Sequence, residues 1–119
     1  MNLILSKQGG WMMGKKIKIL VSDLKVEAEL NESKTAQGIW EALPIEAKAA
    51  LWGEEIYFAI PVKTGLEQGA REVVSAGELG YWPTGHAFCI FFGRTPASRG
   101  EEIRAASSVN IIGKVLSDP

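Results

Sequence analysis

The sequence predicts a mainly β domain, a small closed or nearly closed β-barrel with one main α-helix over about residues 33–43 and short helical turns. Two observations carry this prediction. Several short segments alternate apolar and polar residues with the period of two that is typical of half-buried strands. Only one segment shows clear helical spacing, and many short strands with a single helix are typical of small barrels.

The first twelve residues stand outside this pattern. An apolar patch at residues 3–5 is followed by a lysine and two glycines, so we expect residues 1–12 to be a poorly ordered extension and residues 13–119 to be a single domain. The patch is too short for a secretory signal, and no apolar run approaches the roughly 20 residues that a bilayer span needs. We therefore expect a cytoplasmic protein that does not enter a membrane.

The first two strand-like segments predict a hairpin. Residues 15–21 and 25–30 both alternate, and pairing Val21 with Val26 places apolar side chains on one face and opposite charges on the other. The connection around Asp23 lacks the Asn-Gly or Asp-Gly pair of a tight hairpin turn. We therefore expect a connection of more than two residues.

The helix follows this hairpin. Ser33 is a plausible N-cap, Ile39, Trp40 and Leu43 fall at helical spacing, and Pro44 ends the helix at Leu43. This spacing predicts an apolar helix face that packs against one end of the barrel.

The remaining chain predicts further strands. Residues 45–51 fit a strand or an alanine-rich helix, and we interpret them as a strand. Residues 54–62 alternate, with Phe58 on one face and Tyr57 on the other. Residues 86–92 are apolar on both faces after the first residue, which predicts the central strand. Shorter strands are predicted at residues 73–74, 79–82 and 109–116.

Charge and composition exclude several functions. Lysine and arginine number 13 against 14 aspartates and glutamates, so the net charge of −1 argues against a nucleic-acid partner. One cysteine and one histidine exclude an internal disulfide and a Cys/His zinc cluster. The glycines lack the lysine and the strand-to-helix setting of a phosphate loop. We therefore expect no metal and no cofactor.

Catalytic groups are sparse. Cys89 and His86 are three residues apart on a predicted strand, so their side chains point to opposite faces and cannot pair there. Cys89 is interpreted as a core residue, whereas His86 either lines a pocket mouth or caps a turn. The adjacent pairs Glu54–Glu55 and Glu101–Glu102 are interpreted as solvated charge.

Aromatic side chains, a few of them with polar tips, lie in two segments of the chain. They either line an apolar pocket or fill the barrel core. These residues are Tyr57, Tyr81, Trp82, His86 and Phe88.

Four sequence blocks resemble the cyclophilin-like family of small prokaryotic proteins, over about residues 15–116. The resemblance implies a compact β-barrel with one or two helices in a family whose members mostly have no assigned function. The blocks are Trp52-Gly53-Glu54-Glu55-Ile56-Tyr57-Phe58, Gly80-Tyr81-Trp82-Pro83, Phe91-Phe92-Gly93-Arg94-Thr95-Pro96 and Val109-Asn110-Ile111-Ile112-Gly113.

The resemblance to true cyclophilins, which are prolyl isomerases, is incomplete. Their isomerase arginine lies on a strand similar to residues 56–61, and it is replaced here by Phe58, with Tyr57 at the preceding histidine. On the strand similar to residues 86–90, Phe88 keeps an aromatic ring but Ala87 replaces a glutamine. The isomerase arginine is therefore missing.

Three functions remain open. The first is a binding module for a peptide or a small apolar ligand. The second is a weak prolyl isomerase, and the third is a small hydrolase, or a subunit of an amide-cleaving enzyme, in which Glu72 or Glu78 acts beside His86. The predicted ligand-binding residues are Tyr57, Phe58, Glu72, Tyr81, Trp82, His86 and Phe88.

Overall fold

The computed structural model describes residues 1–9 and 15–116. Within them, strands dominate and one α-helix is present, which confirms the predicted fold class. The elements are β1 Asn2–Gly9, β2 Lys15–Val21, β3 Leu24–Leu30, α1 Lys34–Ala42, β4 Ile45–Lys48, β5 Ala50–Trp52, β6 Glu55–Ala59, β7 Arg71–Val74, β8 Glu78–Trp82, a 3-10 turn Pro83–Gly85, β9 Ala87–Phe91 and β10 Ile103–Val115.

Nine of these strands form one antiparallel sheet around a common core. Their order is β4-β1-β2-β3-β10-β8-β9-β6-β5, and β7 pairs separately with β10. The core takes buried side chains from every strand of this sheet except β5. In the described residues no hydrogen-bonded pairing joins the end strands β4 and β5, so the predicted closure is not made by a ladder. The two end strands are consecutive in the chain and are linked by the buried Ala49.

The first hairpin differs from its prediction in register and in turn. Val21 pairs with Leu24, which leaves a two-residue turn of Ser22 and Asp23. Ser22 takes the left-handed conformation with φ of 54°, which a two-residue hairpin turn favours even without glycine. The prediction of a wider connection was wrong. The register is shifted by two residues, and an even shift keeps every side chain on its predicted face.

Residues 2–9 do not form the separate extension that the sequence led us to expect. They form β1, which pairs with β2 on one side and β4 on the other. Leu3 and Leu5 are at most 1% exposed in the core. Because β1 has a strand on each side, these two leucines are removed from water, and their burial stabilises the folded state. Residues 10–12 of the predicted extension lie outside the described residues.

Helix α1 confirms the predicted helix and packs against the common core. The Ser33 hydroxyl accepts a hydrogen bond of 3.2 Å from the backbone N–H of Ala36, as an N-cap does. Ala36 and Ile39 are fully buried against the core. At nine residues α1 is short, and in the described parts of the chain no helix is long and apolar enough to cross a membrane.

A buried amide fixes the start of α1 to β10. The Asn110 side chain donates to the Thr35 hydroxyl and to the Gly65 carbonyl, both at 3.0 Å, and accepts from the Glu67 N–H at 2.7 Å. The Glu67 carboxylate in turn accepts from the Thr35 N–H and hydroxyl, and these bonds hold its pKa below the usual range. The loop between β6 and β7 is thereby anchored over the barrel.

Strand β9 is buried on both faces, as predicted for a central strand. Its inner face, with Phe88 and Ile90, contributes to the barrel core. Its other face, with Cys89 and Phe91, belongs to a second and smaller core together with β7 and the first half of β10. We call the side of β6, β9 and β8 that faces this second core the outer face.

Candidate functional site

The outer face carries a depression because its central side chains are small. Tyr57 on β6 lies opposite Cys89 on β9, and Cys89 lies opposite Gly80 on β8. Directly paired residues share a face, so one bulky ring, a thiol and a glycine stand in a row. In the next row, Trp82 lies opposite Ala87. Large rings therefore flank a floor of small residues.

An irregular stretch of β10 covers this depression. Arg104 pairs with Val73 and Val109 pairs with Arg71, so residues 105–108 stand opposite the single residue Glu72. Such an excess of residues makes the strand bulge away from its partner. The Trp82 indole N–H donates to the Ser107 hydroxyl at 2.6 Å and holds the bulge in place.

The bulge and the outer face together enclose a pocket of about 220 Å³. Aromatic and small apolar side chains form most of its wall, with one carboxyl among them. The lining residues are Trp52, Glu55, Tyr57, Trp82, Cys89, Ala105, Ala106 and Val109.

Glu55 is the unusual member of this wall. It pairs across the hairpin with Trp52 and lies two residues from Tyr57 on β6, so these three side chains share the outer face. Glu55 is only 5% exposed, and its Oε1 has no hydrogen-bond partner among the described residues. Burial raises the pKa of this carboxyl to about 7, and the neighbouring Cys89 thiol opposes that shift only in part. A strongly shifted acid in a pocket is typical of functional sites.

Cys89 does not have the surroundings of a nucleophile. Burial, followed by the nearby charge of Glu55, raises the pKa of its thiol well above the usual range. Its hydrogen bond, to the Ala87 carbonyl, is a long contact of 3.9 Å. In the described part of the chain no group of three or more His, Cys, Asp or Glu side chains could hold a metal ion.

The predicted site residues divide between the two sides of the sheet. Tyr57 and Trp82 line the pocket. Phe58 and Phe88 are stacked inside the barrel core with ring centroids 5.0 Å apart. Tyr81 also lies inside, where its hydroxyl donates to the Val62 carbonyl at 2.5 Å.

The predicted acid–base residues lie apart from the pocket lining. His86 is exposed after the 3-10 turn with φ of 48°, and its N–H donates to the Pro83 carbonyl at 3.3 Å. Glu72 pairs with Arg104 at 3.2 Å. Glu78 pairs with Arg71 at 2.8 Å. Both carboxylates therefore bind arginines, and no ion pair of the described residues includes His86.

Sequence reasoning missed Glu55, Trp52 and the small residues of the pocket. The sequence did indicate the position of Glu55, because it lies two residues from Tyr57 and therefore on the same face of a strand whose other face is apolar. The bulge at residues 105–108 had no comparable signal, since it is a change of register between β10 and β7 that shows only in the pairing of the two strands.

Comparison with known proteins places most of the chain in one family. The model of a family described as cyclophilin-like matches residues 15–119. The solution structure of a hypothetical protein from Archaeoglobus fulgidus is similar, with 36% sequence identity and a TM-score of 0.70. This similarity covers 98% of the present chain and 79% of that chain. Among curated proteins, none matches the chain.

Proposed function

Because the chain belongs to the cyclophilin-like family, as its four sequence blocks predicted, we propose that it is a binding module built on that fold. Its ligand is small and mainly apolar, either a free molecule or a side chain of a peptide. The ligand occupies the pocket between the outer face and the bulge of β10. Membership of the family supports the fold on which this proposal is built, and the pocket supports the binding of a ligand.

The observation that carries the proposal is the composition of the pocket wall. Three aromatic rings and several small side chains surround a cavity with one buried polar group, which is the usual pattern of a small-molecule site. Such sites commonly measure roughly 300–1,000 Å³. The present pocket, at about 220 Å³, therefore suits a ligand of few heavy atoms.

The same wall argues against prolyl isomerisation. Among the described residues that line it, none is a lysine or arginine that could donate a hydrogen bond to a prolyl amide. Phe58, at the position similar to the isomerase arginine, is buried inside the barrel. The hydrolase alternative lacks support as well, because Glu72 and Glu78 bind arginines rather than His86.

A fragment titration followed by NMR tests the binding function. Trp52 and Trp82 line the pocket, whereas Trp40 lies on α1 beside the Lys7 ammonium and serves as an internal reference. We expect small aromatic and branched aliphatic compounds to shift the indole signals of Trp52 and Trp82 and to leave that of Trp40 unchanged.

A pocket-filling variant provides the control for specificity. Ala106 is exposed at the pocket rim, so Ala106→Leu adds bulk there without crowding the core. We expect it to weaken fragment binding at least tenfold. Ala76→Leu, at an exposed turn outside this pocket, should bind as the unmodified protein does. Binding that is equally strong in both variants would contradict the proposed site.

A further inference from the structure

Glu55 distinguishes this pocket from a purely apolar one. Its Oε1 is enclosed and accepts no hydrogen bond from the described residues. The pocket wall contributes no lysine or arginine that could neutralise the carboxylate. Burying a carboxyl without a partner is unfavourable. A ligand in the pocket can supply a donor to this carboxyl in addition to the nearby Cys89 thiol.

The other side chains of the wall indicate the charge of that donor. Trp52, Tyr57 and Trp82 line the same cavity as Glu55. The face of an aromatic ring attracts cations through its quadrupole, most strongly for tryptophan. Rings and a carboxylate in one small cavity therefore both favour a positive group that carries apolar substituents.

We propose that the pocket binds a primary or secondary alkylammonium group, which donates an N–H to the carboxylate of Glu55 while its carbon atoms contact Trp52 and Trp82. The inference rests on the binding function proposed above and specifies its ligand class. An N–H is required because a quaternary ammonium has no hydrogen to donate to this carboxylate. The volume of about 220 Å³ limits the apolar part to a short or branched chain.

The carboxyl must be ionised to bind a cation, so affinity depends on pH. In the empty pocket burial raises the pKa of Glu55 to about 7. Binding at pH 6 therefore requires release of a proton, whereas binding at pH 8 does not. The other titratable groups of the wall are Tyr57 and Cys89, and burial raises the pKa of the Cys89 thiol, which keeps it uncharged over this range. We expect the affinity for the ammonium to fall roughly tenfold from pH 8 to pH 6.

Three probes that share an isobutyl group test the ligand class. Isobutylammonium, isobutanol and isovalerate are titrated at pH 8 while the Trp52 and Trp82 indole signals are recorded by NMR. The expected result is that the ammonium binds at least tenfold more tightly than the alcohol, and that the carboxylate binds least. At pH 6 the ammonium should lose most of this advantage, while the alcohol should bind as before.

Two variants assign the preference to one carboxyl. Glu55→Gln should lower the affinity for isobutylammonium to that for isobutanol, whereas Glu54→Gln, at an exposed neighbour outside the pocket wall, should change neither. The Trp40 signal reports whether each variant is folded. If Glu55→Gln does not fold, the affinity of the unmodified protein for isobutylammonium at pH 6 and at pH 8 still tests whether an ionised carboxyl is needed.

The outcomes separate this inference from the function on which it rests. Equal affinity for the ammonium and the alcohol, tighter binding of isovalerate, or a preference that survives Glu55→Gln would overturn the ammonium ligand and leave the binding function standing. No shift of either indole signal with any of the three probes, or with the fragment set, would overturn both.

Discussion

Glu55 lies in surroundings that oppose its charge. Burial raises its folded-state pKa from 4.5 to about 7, so the folded protein holds a proton there that the unfolded chain releases. Between these two values the unfolded state binds fewer protons than the folded state. The contribution of Glu55 to stability therefore falls as the pH rises from 4.5 towards 7 and then stays constant.

Replacing this carboxyl with an amide tests that contribution. Between pH 5 and pH 8, we expect ionisation of Glu55 to lower the unfolding free energy of the unmodified protein by about 2 kcal/mol. Glu55→Gln should not show this decrease. Urea unfolding at the two pH values measures it, with Glu54→Gln as the exposed control. A parallel loss of stability in Glu55→Gln and in the unmodified protein would show that Glu55 is not the group responsible.

The turn between β5 and β6 connects two of the sequence blocks and supports the pocket. The Glu54 N–H donates to the Arg94 carbonyl, and the Phe92 N–H donates to the Glu54 carbonyl, both at 2.9 Å. The Thr95 hydroxyl donates to the Arg104 carbonyl, directly before the bulge. A change at this turn can therefore reach both Trp52 on the pocket wall and the bulge that covers it.

Gly53 is the position at which this contact is most sensitive. Its φ is +64°, and a Cβ there would lie 2.8 Å from both the Arg94 carbonyl oxygen and the Thr95 Cα. We expect Gly53→Ala to destabilise the fold by about 2 kcal/mol or more, as measured by urea unfolding.

Gly65 provides the matched control for that substitution. A Cβ at Gly65 would meet no atom within 4 Å, so Gly65→Ala should change stability by less than about 0.5 kcal/mol. If both substitutions changed the unfolding free energy equally, the close contact of Gly53 with residues 94 and 95 would not explain the effect.

Across the whole molecule, β1 joins parts of the sheet that are distant in sequence. It lies between β2 and β4, and Leu3 and Leu5 point into the common core. Without β1, the ladder would be interrupted between these strands. The first residues are therefore a structural part of the barrel.

Leu5→Ala measures that role. Leu5 is fully buried, so its truncation should cost about 2–4 kcal/mol of unfolding free energy. The neighbouring Ile4 is 38% exposed, and Ile4→Ala should cost less than about 1 kcal/mol. Chemical denaturation compares the two, and two small effects of similar size would argue that β1 is dispensable.

Alternation in the sequence determined which face each strand buries but not how the strands align. The shift of two residues in the first hairpin left Ile17 and Ile19 inside, because side chains repeat with a period of two. Burial of Leu3 and Leu5 was not predicted, because it depends on β4, which is about 40 residues away in the chain.

The candidate site was only partly predictable for a related reason. Tyr57 and Trp82 were identified as ring-bearing wall residues, but Phe58, Tyr81 and Phe88 alternate with them onto the inner face. Assigning rings to one cleft required knowing which face of each strand meets the barrel core. The pocket itself depends on residues 105–108, whose path follows from the register of β10 against β7 rather than from local sequence.

The connection through Ala49 has a consequence for how the barrel meets other chains. Sheets with free outer strands can recruit a strand from another molecule and so begin to aggregate. Here the two outermost strands of the main sheet are consecutive in the chain and are tied by one buried residue. A foreign strand that separated β4 from β5 would have to displace Ala49, so the burial of this residue opposes strand addition at that point of the sheet.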